Sequence, residues 1–128
     1  MTHMSVEAPT PETILAQPVF VEDLLLEAAS GNRPEALELA SLFRELTDAA
    51  FQEQKNALER GDFEAVRRSA HRSAGSAAAC GLPRLMMSLR AVEAAPDESV
   101  AQAWRLAERL YGEACAALDR YFNTESIS

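Results

Sequence analysis

The sequence predicts an all-α fold: a short lead helix followed by four longer antiparallel helices. Three observations carry this. Hydrophobic residues make up 48% of the chain; alanine and leucine dominate them and β-branched residues are scarce, which favours helix over sheet. Apolar residues recur at three- and four-residue spacing over long segments. The segments are parted by short turns at Gly31, Gly61, Gly81 and Pro96, and short links make successive helices antiparallel neighbours.

In chain order, Met1 to Gln17 is polar, carries Pro9 and Pro11, and holds no sustained period. It is expected to be disordered or loosely attached. Residues 1–3 read as vector-derived, with Met4 as the natural start, so His3 is set aside. The domain proper is expected over 18–122. Pro18 opens the lead helix, with Val21, Leu24, Leu25 and Ala28 as its apolar face and Gly31 as a left-handed cap. Pro34 begins the next helix, which runs to about Arg60 with Leu39, Leu42, Phe43, Leu46, Ala49 and Ala50 as its stripe. Asp62 is a natural N-cap for the helix that follows, which ends around Cys80 and Gly81. Leu82 and Pro83 start the fourth helix, with Leu85, Leu89 and Val92 as core; Met86 and Met87 cannot face the same way, and one of them reads as a gap-filler at the bundle edge or as an exposed recognition residue. The last helix spans about Asp97 to Phe122 on a broad stripe that includes Val100, Trp104, Leu110, Tyr111, Leu118 and Tyr121. The tail, 123–128, is expected to fray.

A chain of 128 residues is one domain with enough buried surface for a core. Its formal net charge of −8 argues against nucleic acid or an anionic membrane as a partner. No apolar run approaches the ~20 residues of a membrane span, and no secretory leader is evident. The chain reads as cytoplasmic. Cys80 and Cys115 are far apart and read as small buried thiols. With so few ligands, no metal site is expected. A monomer is expected.

The chemistry concentrates in one stretch, Arg67-Arg68-Ser69-Ala70-His71-Arg72-Ser73-Ala74-Gly75-Ser76. Stepping about 100° per residue puts Phe63, Val66, Ala70, Ala74 and Ala77 in one apolar sector, with His71 roughly 110° from its centre. The imidazole therefore lies on the flank of the helix. Near neutral pH it is the side chain best suited to carry a phosphoryl group or a proton reversibly. Gly75 lies one turn beyond it, and a glycine in mid-helix costs about 1 kcal/mol against alanine. That cost makes sense where something must approach the backbone.

The segment Asp62 to His71, followed by Gly75-Ser76, Gly81, Leu85 and Glu93, resembles the histidine-containing phosphotransfer (HPt) domain, a four-helix bundle with a short helix across one end. The resemblance covers about Val19 to Phe122. It implies that His71 is the phosphoacceptor, attacking through Nε2. It implies receiver domains of response regulators and a hybrid sensor histidine kinase as partners. No cofactor is implied on this chain, and magnesium is expected on the partner receiver. Two positions depart from the family pattern. Ser73 stands where a leucine is usual, and Ala74 stands where a lysine is usual that holds the phosphoryl oxygens. Arg72, Arg67 and Arg68 are the candidate replacements, since the guanidinium fork binds phosphate well. Ser76 is a candidate for orienting the ring. Gly75, Ala74 and Ala78 are the expected docking surface. No nucleotide-binding motif is present, so the phosphate must come from another protein. The alternative is a module that regulates a receiver or kinase by docking and never carries phosphate. The dimerising hairpin of a sensor kinase is disfavoured, because an arginine rather than an acid follows His71.

Overall fold

The structure is a computed structural model that describes residues 8–127, with side chains through Asn123. Six helices account for nearly all of it: α1 (Pro11–Ala16), α2 (Glu22–Ala28), α3 (Arg33–Glu59), α4 (Phe63–Ala79), α5 (Pro83–Ala94) and α6 (Asp97–Ile127). Helices α3 to α6 form the bundle as an antiparallel ring, each packed on the next and α6 closing on α3. No helix among the described residues is long and apolar enough to cross a membrane.

The four bundle helices lie where periodicity and turn chemistry put them. Asn32 caps α3 by accepting from the Glu35 amide at 2.9 Å, and Asp62 caps α4 by accepting from the Ala65 amide at 3.2 Å. Helix α6 runs to Ile127, past the end expected at Phe122. No glycine or proline follows Phe122 to stop it, and extending a formed helix costs little.

The N-terminal region departs further from expectation. Within the segment expected to be loose, residues 11–16 form α1, and its Ile14 is buried. The Thr10 side chain accepts from the Thr13 amide and Pro11 occupies the first turn, a start signal that one short turn of helix left without visible periodicity. The expected reading of residues 1–3 lies outside the described residues. Arg84 on α5 clamps α1 in place, donating to the carbonyls of Leu15 at 3.0 Å and Gln17 at 2.8 Å. Helix α2 starts at Glu22 rather than Pro18. Pro18 to Val21 instead runs alongside the α4–α5 turn, where the Val21 amide donates to the Gly81 carbonyl at 2.8 Å and the Arg84 amide to the Pro18 carbonyl at 3.2 Å. Leu25 and Ala29 bury α2, while Leu24 is exposed.

The buried face of α3 is Ala36, Ala40, Phe43, Thr47, Phe51, Gln54 and Ala57. Leu42 and Leu46, expected in the core, are 49% and 57% exposed. The stripe is rotated because polar Gln54 has its partners inside. Its amide donates to Ser69 Oγ at 2.9 Å and to Ser73 Oγ at 3.4 Å, and its oxygen accepts from Trp104 Nε1 at 2.8 Å. One side chain thus ties α3, α4 and α6 together directly behind the His71 helix. Gln54→Leu should cost about 1–3 kcal/mol, because the indole N–H and two hydroxyls lose a buried partner. A urea titration followed by Trp104 fluorescence measures it.

Tyr111 adds a second polar tie. Its hydroxyl donates to Asp48 Oδ1 at 2.5 Å and sits 3.1 Å from the Arg44 carbonyl. Burial, then the Asp48 hydrogen bond, pushes its pKa far up. Cys80 is buried and Cys115 half-buried, both are free, and burial raises both thiol pKa values. Met86 and Met87 are both half-buried against the core, as gap-fillers at the bundle edge rather than exposed recognition residues.

Candidate functional site

Helix α4 presents a face of Glu64, Arg68, His71, Gly75, Ala78 and Ala79 to solvent. The opposite face, from Val66 through Ala70 to Ala77, is buried. The His71 side chain is 63% exposed. It stands over a shallow depression of about 530 Å³ lined by Glu64, Arg67, Arg68, His71, Arg72 and Glu93. A larger cleft between α1, α5 and α6 holds no histidine, cysteine or carboxylate.

The decisive contact is between His71 Nδ1 and Glu93 Oε2, 2.8 Å apart. A carboxylate at Nδ1 is an acceptor, so the proton sits on Nδ1 and the neutral ring keeps its lone pair on Nε2. Nε2 makes no hydrogen bond among the described residues, and the ring lines the depression. Glu93 lies 22 residues away on α5. In the sequence it was a landmark of the resemblance without a function of its own, and only its place in the motif could have marked it.

The three arginines prove to have different surroundings. Arg67 is taken up by the fold. It donates to the Ala95 carbonyl at 2.9 and 3.2 Å and to Asp97 Oδ1 at 2.5 Å. Ala95 is the C-cap of α5, so Arg67 fixes the helix end two residues beyond Glu93. Arg72 lies 3.7 Å from Glu53 with both side chains well exposed, a pairing worth little. Arg68 is exposed and makes no hydrogen bond or ion pair among the described residues.

Ser76 does not reach the ring. Its hydroxyl bonds back to the Arg72 carbonyl at 3.4 Å, and ring orientation falls to Glu93. Ala74, expected on the docking surface, is 1% exposed; it lies on the core side of α4 and cannot touch a partner. Ser73 is likewise buried, where its hydroxyl meets Gln54. Gly75 and Ala78 are exposed as expected. A Cβ placed on Gly75 would meet nothing within 4 Å, so the fold itself does not require glycine there. On the α3 side, a groove of about 560 Å³ runs beside this face, lined by Leu46, Ala49, Ala50, Glu53, Arg72 and Ser76 among others.

Glu93→Gln should leave the fold intact and loosen the ring. We expect a mixed tautomer population in ¹⁵N spectra of the imidazole, the result of losing an orienting carboxylate. A single Nδ1–H tautomer retained in the variant would show that Glu93 does not set the ring.

The family model of the Hpt domain matches residues 38–122. That span takes in most of α3 and α6 and all of α4 and α5, with His71 and Glu93 inside it. No curated protein and no solved structure matches the chain. Hpt domains are helical phosphocarrier modules that work with receivers and kinases in phosphorelays. The matched span covers more than half of the chain, and the chain belongs to the histidine-containing phosphotransfer (Hpt) domain family.

Proposed function

We propose that this protein accepts a phosphoryl group on Nε2 of His71 from the aspartyl phosphate of a receiver domain and hands it to a second response regulator. The observation that supports it best is the Nδ1 contact to Glu93, which leaves Nε2 as the free nucleophile on an exposed ring. The Nε2 lone pair attacks phosphorus in line and the N–P bond forms. The P–O bond to the aspartate breaks, and its electron pair returns to that carboxylate. Nδ1 keeps its proton, so the phosphorylated ring carries positive charge, which Glu93 balances at hydrogen-bond distance. The donor is the receiver of a hybrid sensor kinase, and magnesium belongs to the receiver. Transfer of this kind depends on positioning and on charge neutralisation rather than on covalent work by the scaffold.

The docking face in this reading is Gly75, Ala78 and Ala79 on α4 together with Leu42, Leu46, Ala49 and Ala50 on α3. Leu42 and Leu46 are among the most exposed large apolar residues described, and a patch of that kind beside a reactive group marks an interaction surface. Gly75→Leu should fold with unchanged or slightly higher stability, since leucine is the better helix former by up to about 1 kcal/mol. It should weaken receiver binding by at least about tenfold, the scale for a misfit in a packed interface. Calorimetric melting and titration with a receiver read the two effects separately, and full affinity in the variant removes Gly75 from the interface.

The test of the function is incubation with phosphorylated receiver domains. The expected product is a label on this protein that is lost in acid and stable in base. Receiver binding without any label would favour the docking module instead, a reading supported by the absence of a cation at buried Ala74.

A further inference from the structure

We infer that Arg68 is the residue that holds the phosphoryl oxygens, so that the cation of this site stands on the N-terminal side of His71 and not on the C-terminal side. The inference rests on the phosphocarrier reading above. It starts from a vacancy in charge. The turn after His71 carries Ala74, buried, then Gly75, Ser76, Ala77, Ala78 and Ala79. From Ser73 to Gly81 there is no basic side chain at all. Any cation for a phosphate on Nε2 must therefore come from the turn before His71, from Arg72, or from another helix.

The neighbouring cations can be ruled in or out by what they already hold. Arg67 is committed to the Ala95 carbonyl and Asp97, and its side chain is only 22% exposed. Swinging it outward would uncap α5 next to Glu93. Arg90 on α5 directs Nε to the Met86 sulfur at 3.1 Å and does not line the depression. Arg72 lines the depression but also the α3–α4 groove, and leans toward Glu53. Arg68 lines the depression beside His71 and Glu93 and makes no hydrogen bond or ion pair among the described residues.

Register then places it. Residues three apart on a helix are neighbours, with about 5–6 Å between their Cβ atoms. A guanidinium from Arg68 spans that distance and can offer two parallel N–H donors to a phosphate. The division of space follows. Arg68 covers the N-terminal side of the phosphoryl group, and the bare Gly75 to Ala79 side is left for the incoming domain. Placing the cation on this side avoids a long flexible side chain in the docking interface, where immobilising it costs entropy.

The experiment uses phosphoramidate, a small donor that phosphorylates accessible histidine, so no partner needs to be known. Wild type, Arg68→Ala, Arg68→Lys and Arg72→Ala are phosphorylated, and the lifetime of the phosphohistidine is followed by ³¹P NMR. Arg68→Ala should shorten the lifetime by about five- to tenfold, the scale of one charge-assisted hydrogen bond at an exposed site. Arg68→Lys should restore part of it, and Arg72→Ala should change it by less than about twofold. Equal lifetimes for wild type and Arg68→Ala, or a larger effect from Arg72→Ala, would overturn the assignment while leaving the phosphocarrier reading in place. A wild-type protein that takes no label from phosphoramidate or from any receiver overturns both.

Discussion

His71→Gln is expected to abolish the acid-labile label completely while changing the melting temperature by no more than about 2 °C, the shift that corresponds to a surface substitution within ~0.5 kcal/mol. The two halves of this expectation have separate physical grounds. Loss of the label follows from chemistry: the glutamine amide has no lone pair on nitrogen that can attack phosphorus. Retention of the fold follows from exposure. The ring is 63% exposed and its one polar contact among the described residues is with Glu93, itself 36% exposed, and such pairs contribute at most about 1 kcal/mol. A phosphorylation assay with a receiver donor, paired with a thermal melt by circular dichroism, reads both halves on one sample. The sequence holds only one other histidine, His3. A label that survives in His71→Gln would have to sit elsewhere, and the proposed function would fall with it.

Much of the bundle was legible because α3 to α6 are long and their caps are local. Pro34, Asp62 and the glycine turns announce helix ends from three or four residues, and the structure places the ends within a few residues of those signals. What the periodicity could not do was choose between two apolar faces of α3. Leu42 and Leu46 repeat at helical spacing as well as Phe43 and Phe51 do. Gln54 looks like a surface residue until Trp104, 50 positions away, supplies the partner for its oxygen. The result is a helix with Thr47 and Gln54 inside and Leu37, Leu42 and Leu46 outside, a pattern that depends on long-range contacts. The site shows the same division. The exposure of His71 follows from counting degrees around one helix. The capture of Arg67 does not, because its acceptor is a backbone carbonyl at the end of another helix. The same limit left Arg67, Arg68 and Arg72 all as candidates in sequence, though their surroundings differ sharply.

Gly81→Ala should be among the most damaging single-methyl changes in the chain, costing about 3 kcal/mol and lowering the melting temperature by roughly 10 °C. Gly81 follows the C-cap of α4 with φ at +74°, a left-handed conformation that costs an L-residue about 1–2 kcal/mol. The remainder is steric. A Cβ at this position would lie 2.5 Å from the Val21 carbonyl oxygen, 3.2 Å from Leu24 Cβ and 3.3 Å from the Leu25 amide nitrogen. The carbonyl cannot easily yield. It accepts from the Leu24 amide at 3.0 Å at the start of α2, while the Val21 amide donates to Gly81 itself at 2.8 Å. Moving it would lift α2 and Leu25, which is fully buried, off the bundle. Gly61 supplies the control, since it has the same φ of +74° and nothing within 4 Å of an added Cβ. Gly61→Ala should therefore show the backbone cost alone, about 1–2 kcal/mol, and the difference between the two variants isolates the docking of α2 against the α4–α5 turn. Denaturant titrations of both variants measure that difference, and equal losses would mean that the contact with Val21 yields freely. His71 lies more than two turns up α4 from Gly81, so phosphoryl acceptance by Gly81→Ala, assayed well below its melting temperature, should match wild type. The chain would then have a stability determinant just past the end of α4 and a reactive centre within it that can be altered independently.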